Sequence, residues 1–284
     1  MIIKFDKMHG LGNDFVMIDA SQFSADPPSV DFFTQICDRR HGVGCDQLVL
    51  YNEKQDSVGK GIIKAKFYNP DGSEAEICGN AARCLGFLMK KYHGLPEFIL
   101  ETVGGAYPVR CVGENEIRVE MGRPDFNLEA ISRFSRTNSS SLSLLDALHM
   151  PKGLEVARAI CISVGNPHLV LFCNRQLDKS EVVSAGTRLE KHPMFKNRIN
   201  VGFAHVLSSD EISLFVFERG AGLTPACASG ACAAAAAARA LDFMSSYDIT
   251  IVQSGGKLKI AVEKDLLISQ TGSATYVFFG EIEV

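Results

Sequence analysis

Two stretches of the chain place a cysteine where it could act as an acid or a base. One reads EICGNAARC, around Cys78, and the other reads PACASGAC, around Cys227. In each, small or short polar residues follow the cysteine and a helical pattern comes next. Asn80 and Ser229 are residue types that favour helix N-caps, so we expect each cysteine just before a helix, facing its unpaired N–H groups. Because a helix N-terminus favours anions, this placement predicts thiols of lowered pKa.

Two such thiols suit the inversion of a stereocentre that carries an acidic C–H bond. One sulfur takes the proton as a thiolate, and the other gives a proton to the opposite face as a thiol. The helix N-termini could hold a carboxylate on the reacting carbon and stabilise its developing charge. The backbone amides expected to do so belong to Gly79, Asn80, Ala228 and Ser229.

The same cysteines are compatible with two other classes of protein. Facing thiols of low pKa could form a reversible disulfide in a redox protein. A non-catalytic amino-acid-binding protein would also use helix N-termini, but it would need no cysteine pair. The sequence has no recognisable pyridoxal lysine and no nucleotide-binding loop, so it predicts no cofactor. It also has no C-x-x-C pair, so it predicts no metal site.

Composition narrows the class of protein. The 284 residues carry a net charge of −4 without a basic stripe, which argues against a nucleic-acid partner. The charged first residues are unlike a signal peptide, and no apolar stretch approaches the length of a membrane span. Nine dispersed cysteines do not suit a secreted disulfide framework. A cytoplasmic protein without membrane association is predicted.

Alternating strands and helices must position the two cysteines. Hydrophobic periodicity predicts helices at residues 30–39, 81–92, 180–189 and 231–244. A serine-rich surface insertion is predicted at 132–152, with a short helix at 142–149. Strands are predicted at residues 2–8, 15–19, 48–51, 62–68, 98–102, 107–111, 117–121, 156–164, 169–173, 202–207, 212–217, 248–252, 258–262, 266–270 and 276–284.

The two halves of the chain share their spacing. In each half, 34 residues separate an asparagine that precedes a strand from an amide residue that precedes or opens the next one, and a polar residue at a strand end lies nine residues before the cysteine. A Gly-Asn pair also precedes the first of these strands by two residues in each half. Three coincidences in the same order indicate an internal duplication of one α/β unit. The residues concerned are Asn13, Gln47, Asn69 and Cys78 in the first half, and Asn166, Asn200, Glu218 and Cys227 in the second.

Over nearly the whole chain, these residues resemble the diaminopimelate epimerase family. The resemblance is carried by MHGLGNDFV, RRHGVGCDQ, NPDGSEAEICGNAARC, GNPH, RINVGF and ERGAGLTPACASGACA, which occur in that order from Met8 to Ala233. It implies an α/β (α+β) fold of two pseudo-symmetric domains, each with strands wrapped about a central helix. The domains expected are 1–119, completed by a final strand at 273–284, and 120–272.

The same resemblance implies an activity and a set of roles. The activity is a pyridoxal-independent epimerisation of LL-diaminopimelate to the meso form, for lysine and peptidoglycan synthesis, by a homodimer. Cys78 and Cys227 would be the acid/base pair, with His168 and Glu218 tuning the thiols. The substrate-binding residues implied are Asn13, Gln47, Asn69, Gly79, Asn80, Asn166, Asn200, Glu218, Arg219, Ala228 and Ser229.

Some positions depart from the family pattern. Ala81 stands where glycine is usual, Ala228 and Ser229 replace a glycine–threonine pair, and Leu223 stands where glutamate is common. Phe278 takes the place of a tyrosine at the dimer contact. The nearest alternative is an epimerase or isomerase of the same architecture that acts on proline, hydroxyproline or an unsaturated diacid. Asn80 and the asparagine, glutamate and arginine residues of the implied substrate-binding set argue against this alternative.

Overall fold

The computed structural model describes residues 1–23, 28–55, 61–127, 141–151 and 153–283. These residues form two compact units. Unit 1 contains Met1–Glu120 and Thr271–Val284, and unit 2 contains Met121–Gln270. Within the described ranges, no helix has the combination of length and hydropathy that a membrane span requires.

Unit 1 is a mixed sheet with one helix on each face. Its pairing order is β17-β1-β2-β3-β4-β6-β7-β8, with the short β5 paired to β4. The β2–β3 and β4–β6 pairs are parallel and the others are antiparallel. The elements are β1 (Ile2–Gly10), β2 (Asn13–Asp19), a 3-10 turn (Ala20–Gln22), α1 (Val30–Cys37), β3 (Gln47–Gln55), β4 (Gly61–Tyr68), β5 (Glu74–Ala75), α2 (Gly79–His93), β6 (Glu97–Thr102), β7 (Gly105–Cys111), β8 (Glu116–Gly122) and β17 (Thr275–Glu283).

Unit 2 repeats this arrangement. Its strands pair in the order β9-β10-β11-β12-β14-β15, with the short β13 paired to β12. The β10–β11 and β12–β14 pairs are the parallel ones. The elements are α3 (Ser141–Leu148), β9 (Val156–Ser163), β10 (Pro167–Cys173), α4 (Lys179–Glu190), β11 (Asn200–Val206), β12 (Glu211–Glu218), β13 (Gly222–Thr224), α5 (Ala228–Ala240), β14 (Asp248–Gln253), β15 (Gly256–Val262) and β16 (Ile268–Ser273).

The repeat extends to strand register. Phe15 pairs with Gln47 in the parallel β2–β3 ladder, and His168 pairs with Asn200 in the parallel β10–β11 ladder. Each pair begins two residues after the asparagine that the spacing singled out. The equal separations in the sequence therefore correspond to equal registers, which places equivalent polar side chains at equivalent strand ends.

A mostly buried helix packs against the strands of each unit. The first turns of α2 and almost all of α5 are buried, including the six consecutive alanines Ala233–Ala238. The opposite faces of the strands pack against α1 in unit 1 and against α3 and α4 in unit 2. Strands covered on both faces read as continuous apolar runs. This explains why all but the first residue of β10 are buried.

Glycine sets the distance between helix and sheet at two points. A Cβ at Gly186 of α4 would lie 2.4 Å from the Phe217 ring of β12. At Gly230 of α5 a Cβ would lie 2.7 Å from Val216, on the same strand. Both helices therefore lie close to β12, which leads toward the second cysteine.

The structure corrects several element predictions. Cys78 and Cys227 are themselves the N-cap residues, so Asn80 and Ser229 lie in the first turn. Helix α5 ends at Ala240 rather than residue 244, because the chain turns through a left-handed Asp242. The strand predicted at 266–270 begins only at Ile268, after a left-handed Leu266, and continues to Ser273.

Two short strands were missed. The sequence predicts no strand at β5 or β13, because two or three residues carry too little periodicity to recognise. The helix predicted at 142–149 is present as α3. Residues 132–140 and 152 of the predicted insertion, and residue 284 of the last predicted strand, lie outside the described residues.

Candidate active-site residues

Cys78 opens the central helix of unit 1. Its backbone is extended, with φ −127° and ψ 110°, and the helix begins at Gly79. The side chain is partly exposed, and its Sγ lies 3.8 Å from Asn13 Oδ1. A thiol donates to a carbonyl oxygen only as S–H, so this contact favours the protonated form.

A chain of hydrogen bonds fixes the orientation of the two amides beside Cys78. The buried Arg83 donates from Nη2 to Asn80 Oδ1 at 2.8 Å, and Asn80 Nδ2 donates to Asn13 Oδ1 at 3.0 Å. Asn13 Nδ2 in turn donates to Asp46 Oδ2 at 2.8 Å. Because arginine can only donate and an ionised carboxylate can only accept, neither amide can flip without losing a bond. Asn13 therefore turns its oxygen toward the thiol.

A cluster of charges lies behind Asn13. Arg39 donates to Asp14 Oδ1 at 2.6 Å and to Asp46 Oδ1 at 2.7 Å, and Lys7 reaches Asp14 Oδ2 at 2.6 Å. Burial raises the pKa of Asp14, but the hydrogen bonds and positive charges of Arg39 and Lys7 outweigh it and hold that pKa well below its usual value. Asp14 therefore stays ionised at neutral pH, and the bonds of this cluster keep β2 attached to the loop before β3.

Gln47 and Asn69 form a second amide pair in unit 1. Gln47 Nε2 donates to Asn69 Oδ1 at 2.9 Å, and Asn69 Nδ2 donates to Ser73 Oγ at 3.0 Å. The Gln47 Oε1 atom is buried and has no hydrogen-bond partner in the described part of the chain. Such an acceptor is costly unless it is satisfied, and an ammonium group would satisfy it.

Cys227 opens the central helix of unit 2 and caps it. Its Sγ accepts from the backbone N–H of Gly230 at 3.3 Å and lies 3.5 Å from Ser229 Oγ. Its own backbone N–H donates to Gln253 Oε1 at 2.8 Å. Only 4% of the residue is exposed. The sulfur is thus held at a fixed position relative to the helix start.

The pKa of Cys227 is raised well above its ordinary value. Burial is the main cause, and the nearby negative charge of Glu218 is the second. Hydrogen bonds from Ser229 and from the Gly230 N–H act in the opposite direction but are outweighed. The prediction of a lowered pKa is therefore wrong for this thiol in the described conformation, because desolvation exceeds the effect of the helix N-terminus.

His168 lies beside the same helix start. Its Nε2 is 2.9 Å from Asn166 Oδ1 and 3.2 Å from Ser229 Oγ, and Asn166 Nδ2 donates to Ser229 Oγ at 3.2 Å. The ring is fully buried. Burial, with the charge of Arg219 as a smaller cause, lowers the pKa of His168 to about 3. The imidazole is therefore neutral near pH 7, and it orients Ser229 toward Cys227.

The other polar residues of unit 2 meet at the ends of β11 and β12. Asn200 Oδ1 accepts from the Arg219 N–H at 2.9 Å, and Asn200 Nδ2 donates to Pro167 O at 2.9 Å. The Arg219 side chain is exposed, and its Nη1 contacts Asn197 O at 3.3 Å. Thr224 donates to the Glu218 carboxylate, which also interacts with Cys227.

The structure thus groups the predicted residues around two helix starts. In unit 1, Asn13 and Asn80 contact each other and Asn13 reaches Cys78, while Gln47 and Asn69 pair separately. In unit 2, Asn166, His168 and Ser229 form one connected group that reaches Cys227. Gly79 and Ala228 are the first helical residues.

Sequence reasoning missed the residues that hold this machinery in place. None of them has a spacing that predicts catalysis. Each lies within or directly beside a quoted motif, or at the end of a helix or strand, where polar residues often hydrogen-bond to backbone groups. They are Lys7, Asp14, Arg39, Asp46, Arg83, Glu190, Thr224 and Gln253.

Comparison with solved structures identifies the fold. The chain superimposes with a TM-score of 0.68 on a hydroxyproline epimerase from Agrobacterium vitis solved with bound trans-4-hydroxy-L-proline, covering 99% of this chain and 91% of that one at 11% identity. A phenazine biosynthesis protein of the PhzF family from Bacillus anthracis gives a TM-score of 0.67, with both chains fully covered at 17% identity. At these identities the likeness establishes the fold alone.

Comparison of sequences reaches much closer relatives. The chain is 40% identical to a diaminopimelate epimerase from Gluconobacter oxydans, covering 99% of each chain. It is 39% identical to one from Magnetococcus marinus, covering 98% of this chain and 96% of that one. The family model for diaminopimelate epimerase matches residues 5–127 and 160–277. On this evidence, the chain belongs to the diaminopimelate epimerase family.

Proposed function

We propose that this protein is a diaminopimelate epimerase that inverts one α-carbon of LL-2,6-diaminopimelate to give the meso isomer. Family membership over the full chain supports the reaction. The observation that carries the mechanism is the repeated helix start: Cys78 and Cys227 are the N-cap residues of the two buried central helices. We propose these thiols as the two acid/base groups.

The proposed step moves one proton off the α-carbon and another onto its opposite face. In the LL-to-meso direction, Cys227 is the acceptor and Cys78 the donor. The C–H bond breaks as an S–H bond forms on Cys227, and the Cys78 S–H bond breaks as the new C–H bond forms. The Cys78 contact with Asn13 Oδ1 supports the donor role, because it favours the thiol.

Cys227 must lose its proton before it can accept one. Burial and Glu218 favour the protonated sulfur, so the thiolate must form during substrate binding. Glu218 is the proposed recipient, because its carboxylate interacts with the thiol. Ser229 and the Gly230 N–H then stabilise the thiolate by hydrogen bonds.

Helix N-termini are proposed to hold the reacting amino-acid group. The first N–H groups of an α-helix have no acceptor within the helix, and they attract a carboxylate. As negative charge moves onto that carboxylate in the transition state, the same donors become more effective. The residues proposed for this role are Gly79, Asn80, Ala228 and Ser229.

The remaining polar residues are proposed to bind the distal amino-acid group. Arg219 suits its carboxylate, and the buried acceptor Gln47 Oε1 suits its ammonium. A site that hydrogen-bonds a second amino-acid group rejects substrates that lack one, because its polar atoms would stay unpaired. Asn13, Asn69, Asn166, Asn200 and Glu218 complete the proposed substrate-binding set, which acts mainly but not solely on the distal end. The mechanism needs no cofactor.

Proton NMR in D2O tests the proposal directly. Reduced protein is incubated with LL-diaminopimelate, and the α-proton signal and the meso product are followed together. We expect the α-proton to exchange as meso product appears, and Cys78→Ala and Cys227→Ala each to abolish epimerisation. Proline and hydroxyproline serve as alternative substrates. If the wild type exchanges one of them but not diaminopimelate, or if a single cysteine variant keeps full activity, the proposal fails.

We also propose that the enzyme is a cytoplasmic homodimer without nucleic-acid partners. The family resemblance suggests the dimer, and β17 exposes the apolar side chains of Val277, Phe278 and Phe279 at 50%, 45% and 52%. Exposed apolar residues so close together suit an interface. Sedimentation velocity of wild type and Phe278→Arg tests this. A wild type that stays monomeric at micromolar concentration would contradict the dimer.

A further inference from the structure

Glu190, at the last position of α4, is buried without belonging to the proposed catalytic set. Its side chain is only 2% exposed. Its Oε1 accepts from the backbone N–H of Gly220 at 3.2 Å and lies 3.5 Å from Arg198 Nη1. Buried carboxylates are rare unless they are paired or hydrogen-bonded. Here the partners are two chain segments, the one before β11 and the turn after β12.

Three hydrogen bonds connect the end of α4 with the backbone on both sides of Arg219. The Glu190 main-chain carbonyl accepts from Ile199 N at 3.2 Å, and the next residue, Asn200, accepts from Arg219 N at 2.9 Å. The backbone N–H of Gly220, the residue after Arg219, donates to the Glu190 carboxylate. The peptide groups on both sides of Arg219 are therefore fixed to the end of α4, one directly and one through Asn200.

The side chain of Arg219 depends on the same segment. Its Nη1 contacts the Asn197 carbonyl at 3.3 Å. The segment reaches that position through Arg198, which has a left-handed φ of 58°. A non-glycine residue adopts this conformation at a cost in free energy, so the conformation must be held by its surroundings. Glu190 supplies such a contact through Arg198 Nη1.

Unit 1 makes the equivalent contact with different chemistry. Cys37 ends α1, and Cys45 lies eight residues later and two residues before Gln47, as Arg198 lies eight after Glu190 and two before Asn200. The two sulfurs are 3.5 Å apart. In both units the end of a helix therefore contacts the segment that leads into the next strand. In unit 2 this contact is made by the Glu190 carboxylate, which also accepts from Gly220 in the turn after β12.

We propose that Glu190 is a positioning residue for Arg219, and that it sets the affinity for the substrate end that Arg219 binds. The inference rests on the proposed function, in which Arg219 holds the distal carboxylate. An arginine fixed at both peptide groups presents its guanidinium to a carboxylate with less loss of conformational freedom. Contacts that act equally on the bound substrate and the transition state change KM and leave kcat unchanged, and this is the effect that we propose for the distal end.

Steady-state kinetics of Glu190→Met and Glu190→Gln tests the proposal. Methionine matches the length and fills the volume but cannot accept the Gly220 N–H. We expect Glu190→Met to raise KM for LL-diaminopimelate by about tenfold with kcat within about threefold of wild type, as for lost uniform binding. Glutamine keeps an acceptor oxygen, so Glu190→Gln should restore most of the wild-type KM.

Glu181→Gln is the matched control on the same helix. Glu181 belongs to the capping box of α4 and pairs with Arg175, so its loss affects the helix without touching Arg219. Its KM should equal that of wild type. If Glu190→Met does not fold, Glu190→Asp takes its place, since its shorter carboxylate withdraws from Gly220, and the same rise in KM is expected.

The outcomes separate this inference from the proposed function. An unchanged KM in folded Glu190→Met or Glu190→Asp overturns the positioning role, as does a fall in kcat with KM unchanged. A wild type that does not epimerise diaminopimelate overturns the proposed function instead. A rise in KM shared by Glu181→Gln would show a general effect of α4 and would also overturn the positioning role.

Discussion

The backbone N–H of Gly230 points at the Sγ of Cys227 across 3.3 Å, so the thiol caps the helix that it opens. Helix capping usually falls to serine, threonine, aspartate or asparagine. Here the sulfur receives a donor that favours its thiolate while burial and Glu218 favour the thiol. The protonation state of Cys227 therefore depends on a balance that single substitutions can shift in either direction.

Two substitutions should shift the pKa of Cys227 in opposite directions. Glu218→Gln removes a negative charge and should lower it, whereas Ser229→Ala removes a hydrogen bond to the thiolate and should raise it. The measurement is the pH dependence of Cys227 alkylation by iodoacetamide, read by peptide mass spectrometry. Alkylation of Cys111, in unit 1, serves as the internal control. Midpoints that move in the same direction in both variants would contradict the balance.

His168 should make the free energy of unfolding depend on pH. Its folded-state pKa of about 3 lies below its ordinary value of 6.5, so between these values the unfolded chain binds a proton that the native state does not. Stability is therefore fully present above pH 6.5 and falls as the pH falls toward 3, by up to about 1.4 kcal/mol per pH unit.

Urea unfolding of wild type and His168→Gln at several pH values measures this contribution. The difference in free energy between the two proteins should change between pH 7.5 and pH 4, with the wild type losing more stability on acidification. His41→Asn, at an exposed position, is the control. Parallel curves for wild type and His168→Gln would show that the ring does not stay neutral in the folded protein.

Enlarging the central helix of unit 2 should destabilise the protein only where the helix is buried. Ala235 has no exposed surface, so Ala235→Leu forces side chains or strands to move, at a cost of roughly 1–3 kcal/mol or more. Ala240→Leu places the same substitution at the exposed end of the same helix and should change the unfolding free energy by less than about 0.5 kcal/mol. Equal effects in urea unfolding would contradict the tight packing of α5.

Gln253 should stabilise the protein through the backbone of Cys227. Its Oε1 accepts the Cys227 N–H, so Gln253→Met leaves a buried donor unsatisfied and should cost about 1–3 kcal/mol in urea unfolding. We also expect kcat to fall, because the helix start that carries the thiol loses a restraint. Ser254→Ala removes an exposed hydrogen bond to the Pro225 carbonyl, in the same segment, and should change both quantities much less than Gln253→Met. Full stability of Gln253→Met would mean that water or another group replaces the amide.

The sequence predicted the elements and the helix starts because both depend on local pattern. Apolar periodicity and glycine turns located α2 and α5, and equal spacings anticipated the equal registers at Gln47 and Asn200. The N-cap was assigned to the wrong residue because asparagine and serine are commoner caps than cysteine. In both helices the cysteine occupies that position instead.

What the sequence could not predict depends on burial and on distant partners. The raised pKa of Cys227 follows from desolvation, which requires knowledge of what packs over the sulfur. The amide chain from Arg83 to Asp46 joins three separate segments, and Glu190 joins two more. In the sequence, Arg83, Asp46 and Glu190 look like ordinary charged residues, because their partners come within hydrogen-bond distance only in the fold.

The alanine-rich helix α5 has a consequence for the cost of building the second helix start. Burying a long side chain freezes its rotamers, whereas a buried alanine has no rotamers to lose. The residues from Ala233 to Ala238 therefore lose almost no side-chain conformational entropy on folding, although every one of them is buried. The position of Cys227 is then specified by backbone geometry and neighbouring strands, rather than by interlocking side chains that could each adopt an alternative arrangement.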